Sequence, residues 1–231
     1  MLVRENTSWA FPASATGTWN AQQVGRQDWT VDMSTPTLSR KTSQHDEYQR
    51  VAGLAVLLDP EGAVLFAPAE STTAGEVAVA VRFSSGLLHA AMYSDDLDRL
   101  RIPDQPIFGS ERSGLEFTVA VDAVGVGTGI SAIDRSLTLR TLAHPDTTPD
   151  DLRRPGHVLP VRCRRITQNP PTVYERALAA VAATGSAPVA LVCRLVGDRG
   201  SELDDSDARL FADRHGFTVH SSVHRPGKSR R

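Results

Sequence analysis

The residues best able to do chemistry lie in two neighbouring runs. Thr128-Gly129-Ile130-Ser131 puts two hydroxyls and a glycine at a strand-to-helix junction, and Asp134, Arg135, Thr138 and Arg140 follow on the helix. Amides at a helix start point outward and the helix dipole favours negative charge there, which suits a phosphate or a phosphosugar. The same residues would also make a capped helix with Asp134 and Arg135 in structural ion pairs. Arg154-Pro155-Gly156-His157-Val158-Leu159-Pro160 sets a histidine at a strand entry. An imidazole there can serve as acid or base near neutral pH, or simply hold structure. His89 sits in an apolar strand with no partner visible in the sequence. His215, His220 and His224 fall across a helix end, a strand and a tail, which is not a zinc pattern. No nucleophile elbow, Walker loop or dinucleotide fingerprint is present.

Several elements must position these groups. Leu54–Leu58 and Ala63–Ala67 read as buried strands, joined by the tight turn Asp59-Pro60-Glu61-Gly62. Thr73–Phe83 reads as a helix with a capping box from Thr73 and Glu76. Leu87–Tyr93 is a strand. Ser94 opens a short helix that ends before Pro103. Phe117–Asp122 is a strand, Ala132–Leu142 a helix, and Val158–Cys163 a strand. Thr172–Ala183 is a helix with a second capping box, Thr172 and Glu175. Val189–Leu195 is a strand, and Ser206 caps a helix that runs to His215 and stops at Gly216. Phe217–Val219 closes the pattern. Strands and helices interleave irregularly, so the expected class is α/β, in the sense of an α+β layered domain.

The 231 residues are 40% apolar, enough for one sizeable core, and the net charge of −2 gives no global pull toward nucleic acid or membrane. No stretch is apolar for long enough to cross a bilayer, and no signal-peptide core is seen. Cys163 and Cys193 lack metal-type spacing and read as reduced thiols of a cytoplasmic protein. Residues 1–46 hold all three tryptophans, Trp9, Trp19 and Trp29, and read as an N-terminal arm packing on its own domain or across a dimer interface. The domain is expected over residues 47–222, followed by a basic, flexible tail at 223–231.

The residues from Leu54 to Val219 resemble the 3,4-dihydroxy-2-butanone 4-phosphate synthase family. The resemblance is carried by Phe117-Thr118-Val119-Ala120-Val121-Asp122-Ala123, Thr128-Gly129-Ile130-Ser131-Ala132-Ile133-Asp134-Arg135 and Pro155-Gly156-His157-Val158-Leu159-Pro160. Pro68-Ala69-Glu70, Ser85-Gly86-Leu87 and Leu191-Val192-Cys193 add to it. It implies that family's compact fold, a homodimer with active sites at the subunit interface, and conversion of ribulose 5-phosphate to dihydroxybutanone phosphate and formate with magnesium. The chain departs from the family pattern in four places. The acidic loop Asp-Asp-x-x-Arg-Glu-Asn-Glu-x-Asp has become the turn at Asp59–Gly62, whose carboxylates are expected to be solvated. Val173 stands in place of the histidine of Gly-Gly-His-Thr-Glu-Ala, Arg194 in place of a late glutamate, and His89 in place of a cysteine.

These departures lead to the expectation of a diverged homologue that has lost the magnesium-dependent reaction. It would need no cofactor or metal and would act on another small substrate, phosphorylated or not, in a specialised pathway. Its working residues would be His157, His89 and Asp134 for catalysis, with Thr128, Ser131, Arg135, Arg194 and Glu175 binding substrate. A non-catalytic dimeric binding or regulatory protein is one alternative, and a residual synthase the other. Neither nucleic acid nor membrane is an expected partner.

Overall fold

The computed structural model describes residues 53–60, 62–107, 115–165, 170–197 and 200–221. The expected arm and its tryptophans, the basic tail and Glu61 lie outside them. Seven strands form one mixed sheet: β1 (Ala55–Leu58), β2 (Val64–Pro68), β3 (His89–Tyr93), β4 (Val121–Ala123), β5 (Leu152–Cys163), β6 (Val189–Arg194) and β7 (Thr218–Ser221). Their spatial order is β4-β5-β3-β6-β2-β1-β7. β1 with β7 and β3 with β5 run parallel, and the other neighbours run antiparallel.

Among the described residues, five α-helices cover both faces: α1 (Ala74–Arg82), α2 (Ser94–Arg99), α3 (Ala132–Ala143), α4 (Val173–Ala182) and α5 (Asp205–His215). Strand side chains alternate between two cores, as period two requires. In β6, Val189, Leu191 and Cys193 join Val77, Leu139, Leu142 and Ala208 from α1, α3 and α5. Ala190 and Val192 join Val173, Tyr174, Leu178 and Val181 of α4 on the other face. The layered α/β class expected from the sequence is therefore the observed one.

Local signals are met closely. Both capping boxes form, and Gly216 closes α5 in the left-handed conformation at φ 70°. In the β1–β2 turn the Gly62 amide donates to the Asp59 carbonyl at 2.9 Å. Two serines differ from expectation. Ser94 makes no cap; its hydroxyl donates to the Cys163 carbonyl at 3.3 Å, which ties α2 to β5. The cap of α5 is Asp204, whose carboxylate accepts from the Asp207 amide at 2.9 Å, and the Ser206 hydroxyl donates to that same carboxylate. A carboxylate at this position adds dipole stabilisation that a hydroxyl lacks. β5 also starts six residues before the expected Val158, because Leu152 and Arg153 pair with β4.

Candidate active site

The registers bring the sequence-selected residues to one end of the sheet. His89 opens β3 opposite Leu159, two residues beyond His157 on β5. It also faces Val192, two residues before Arg194, the last residue of β6. Arg194 in turn stands opposite Val64, where β2 leaves the Asp59–Gly62 turn. With strands about 4.8 Å apart, His157, His89, Arg194 and the turn form one row along the sheet edge.

His157 is the most completely built of these. Its backbone amide donates to Asp122 Oδ1 at 2.8 Å, and its ring Nδ1 lies 2.8 Å from Asp122 Oδ2. A carboxylate can only accept, so Nδ1 carries a proton and, in the neutral ring, Nε2 presents the lone pair. Asp122 is 7% exposed, whereas the His157 side chain is 38% exposed. The anchored partner is thus buried and the imidazole is reachable. Asp122 is the residue that sequence reasoning missed. Its signal was a carboxylate in the otherwise apolar run Val121-Asp122-Ala123, which cannot be buried without a partner.

Two glycines let this pair form. A Cβ on Gly156 would lie 2.0 Å from the Val121 carbonyl carbon, so β4 and β5 could not approach. A Cβ on Gly129, which sits at φ 84°, would lie 2.0 Å from Asp122 Oδ2 and 2.6 Å from His157 Nδ1. The Thr128–Ser131 loop is therefore folded directly over the aspartate–histidine pair. Asp134 holds it there, accepting from the Gly127 amide at 3.3 Å and the Gly129 amide at 3.1 Å, while Ser131 caps α3 by accepting from the Asp134 amide at 3.0 Å. Desolvation raises the Asp134 pKa, but the Ser131 hydroxyl, these two amides and the nearby His157 outweigh it and hold the carboxyl below its ordinary value. Amides expected to receive a substrate anion are thus engaged by the protein's own carboxylate. Thr128 and Ser131 remain exposed beside His157.

The other selected residues are placed differently. Arg135 is 8% exposed and turns inward, its Nη1 donating to the Gly86 carbonyl at 3.4 Å. His89 is 4% exposed, between the rings of Phe117 and Tyr174. Neither of its nitrogens makes a well-formed hydrogen bond. Burial drives its pKa down to about 4; the Val192 backbone opposes this and Arg194 reinforces it. His89 is accordingly a neutral imidazole at physiological pH. Arg194 lies 3.8 Å from Glu202. Glu175, in the first turn of α4, accepts from the Arg164 and Thr172 amides, at 3.1 and 2.8 Å. Asp59 corrects the expectation of a solvated turn: its side chain has no exposure and pairs with Arg176 of α4. The turn is short, so Asp59 tucks under α4, where the Arg176 guanidinium offsets its burial.

Comparison with known proteins follows the same lines. Residues 54–223 match the family profile of 3,4-dihydroxy-2-butanone 4-phosphate synthase. The riboflavin biosynthesis protein RibBA of Salinispora tropica is 41% identical over 161 residues, covering 69% of this chain and 40% of that protein. RibBA of Mycobacterium tuberculosis is 37% identical over 179 residues, 73% of this chain and 42% of that one. The chain thus spans about two-fifths of the curated relatives it matches. A solved 3,4-dihydroxy-2-butanone 4-phosphate synthase in complex with two magnesium ions is 33% identical with a TM-score of 0.64, covering 76% of this chain and 91% of that one. The Candida albicans synthase is 29% identical with a TM-score of 0.66 over the same shares. These likenesses overturn two expectations. Relatives this similar, named for riboflavin biosynthesis, weigh against a homologue that has left the reaction for another substrate. A neighbour holding two magnesium ions likewise overturns the expectation of a chain without a cofactor.

Proposed function

The chain belongs to the 3,4-dihydroxy-2-butanone 4-phosphate synthase family, and from that premise we propose that it converts ribulose 5-phosphate to dihydroxybutanone phosphate and formate. The observation that carries this reading is the Asp122–His157 pair, set beneath the Thr128–Ser131 loop with its imidazole open to solvent. The reaction begins by removing a proton beside a ketone. His157 Nε2 is the group to take it, and Asp122 fixes the required tautomer and stabilises the imidazolium that results. The same imidazole can return the proton after rearrangement. Thr128 and Ser131 offer hydroxyls to the sugar or its phosphate, and Asp134 keeps their loop in place. His89, neutral and buried, supports the wall behind Arg194 rather than carrying charge.

Magnesium enters the proposal from the solved relative. A hard dication needs converging oxygen ligands. Among the described residues no three His, Cys, Asp or Glu side chains come together, Asp59 is held by Arg176, and position 173 carries a buried valine. The described side chains therefore do not fit the ion, and what they do supply is proton transfer. The reading also takes the protein as a cytoplasmic homodimer acting on a small phosphorylated molecule. Among the described residues no helix is long and apolar enough to cross a membrane.

The test is formate release from ribulose 5-phosphate by the purified chain, with and without magnesium. Turnover that disappears in His157→Gln supports the reading. Absence of formate at all magnesium concentrations overturns it.

A further inference from the structure

We propose that the end of the sheet opposite His157 holds a second binding site, for an organic anion with a flat apolar body, of the aryl phosphate class. α3 connects the two ends. Asp134 stands in its first turn beside His157, Arg140 stands about 9 Å further along the axis, and the C-cap His144 about 15 Å. There a cavity of about 710 Å³ opens between the end of α3, the α2 residues Asp96 and Arg99, and the start of β6. It adjoins a second cavity of about 550 Å³ that shares Arg140 and His144. Volumes of this size suit small-molecule ligands.

The donors are prepared and the acceptors are not. Arg99 Nη1 donates to the Thr147 carbonyl at 2.6 Å, and Arg140 Nη1 donates to the Thr72 carbonyl at 2.7 Å. Each tether restrains its guanidinium without using it up, since a guanidinium carries five N–H donors. His144 Nδ1 accepts from the Asp146 amide at 3.3 Å. In the neutral ring this puts the proton on Nε2, a third donor between the two cavities. Of the carboxylates on the two walls, Glu70 accepts from the Ala187 amide at 2.9 Å and Asp151 from the Thr148 amide at 2.8 Å, Asp146 is exposed, and Asp96 faces Arg99 itself at 3.5 Å, so an anion arriving at Arg99 takes the place of that weak surface pair. The α3 carbonyl of Thr141, which would repel an anion, is capped by the His144 amide and the Thr147 hydroxyl. Leu142, Pro145 and Pro188 supply the apolar wall. Two tethered guanidiniums and an imidazole over such a wall would bind an anionic head with a ring behind it.

The experiment is isothermal titration of the full chain with phenyl phosphate. Saturable binding is expected, weakened about tenfold in Arg99→Gln and in Arg140→Gln, and unchanged in His157→Gln. Inorganic phosphate should bind more weakly. No saturable binding, or binding lost in His157→Gln but intact in the arginine variants, overturns the site. Equal affinity for inorganic phosphate overturns the apolar part of the proposal. Should Arg140→Gln fail to fold, Arg99→Gln still decides, since that side chain is 41% exposed and its removal leaves the core intact.

Discussion

Asp122 and Asp59 are both buried carboxylates at the same end of the sheet, yet they serve different purposes. Asp122, on β4, holds His157 through both the backbone amide and the ring. Its partner is an imidazole that stays 38% exposed. Asp59, after β1, meets Arg176 and has no exposed side-chain surface. Its partner is a permanent cation belonging to the helix that covers that face. Each of these two carboxylates thus acts through the group it holds. An imidazole with a free nitrogen can pass reactivity on to a substrate. A guanidinium cannot release a proton, so that carboxylate stabilises the fold.

The largest effect expected separates the two directly. His157→Gln should lower formate release by about 10²- to 10⁴-fold with little change in stability. Asp122→Asn should give a smaller loss of turnover, with a changed pH profile as its signature. Steady-state rates beside a urea melt check both; a large stability loss in His157→Gln would erase the contrast. Asp59→Ala should do the reverse, destabilising by about 3 kcal/mol because Arg176 is left partly buried and unpaired. Asp59→Ala with Arg176→Met should recover part of that loss. An undisturbed melting midpoint in Asp59→Ala would show that the turn carboxylate is not structural.

His89 sharpens the comparison from between the two regions. Its folded pKa of about 4 lies below the ordinary 6.5, so the unfolded chain binds more protons in that window. The stability associated with neutral His89 is therefore full above about pH 6.5 and is lost as pH falls toward 4. Between pH 7 and 5 the loss should approach about 2 kcal/mol. Unfolding free energies of wild type and His89→Leu across that range check this; parallel curves would mean the imidazole is not desolvated. The smallest effect expected is Thr172→Ala, about 1 kcal/mol for a lost cap on α4. It should leave turnover intact, because Thr172 and Glu175 are engaged in the capping box of α4.

Much of what depends on residues three apart was legible from the chain alone, although the Asp204 cap of α5 was not. Thr73 with Glu76, Thr172 with Glu175, Ser131 with Asp134, and Gly62 with Asp59 are bonds the chain makes with its own near neighbours, so types and spacing suffice to read them. Family membership was legible for the related reason that long motifs survive as contiguous runs, Thr128–Arg135 above all. The departures at Asp59, Val173 and Arg194 were equally legible, but the inference of a lost reaction drawn from them was overturned by the similarity of the chain as a whole. Only the tertiary structure decided which side chains meet. Asp122 and His157 are 35 residues apart, and Arg176 and Asp59 are 117 apart. Both contacts follow from the strand order β4-β5-β3-β6-β2-β1-β7, which is not the chain order. That order is set by burying two apolar faces at once, a requirement of the whole sheet that no local spacing records.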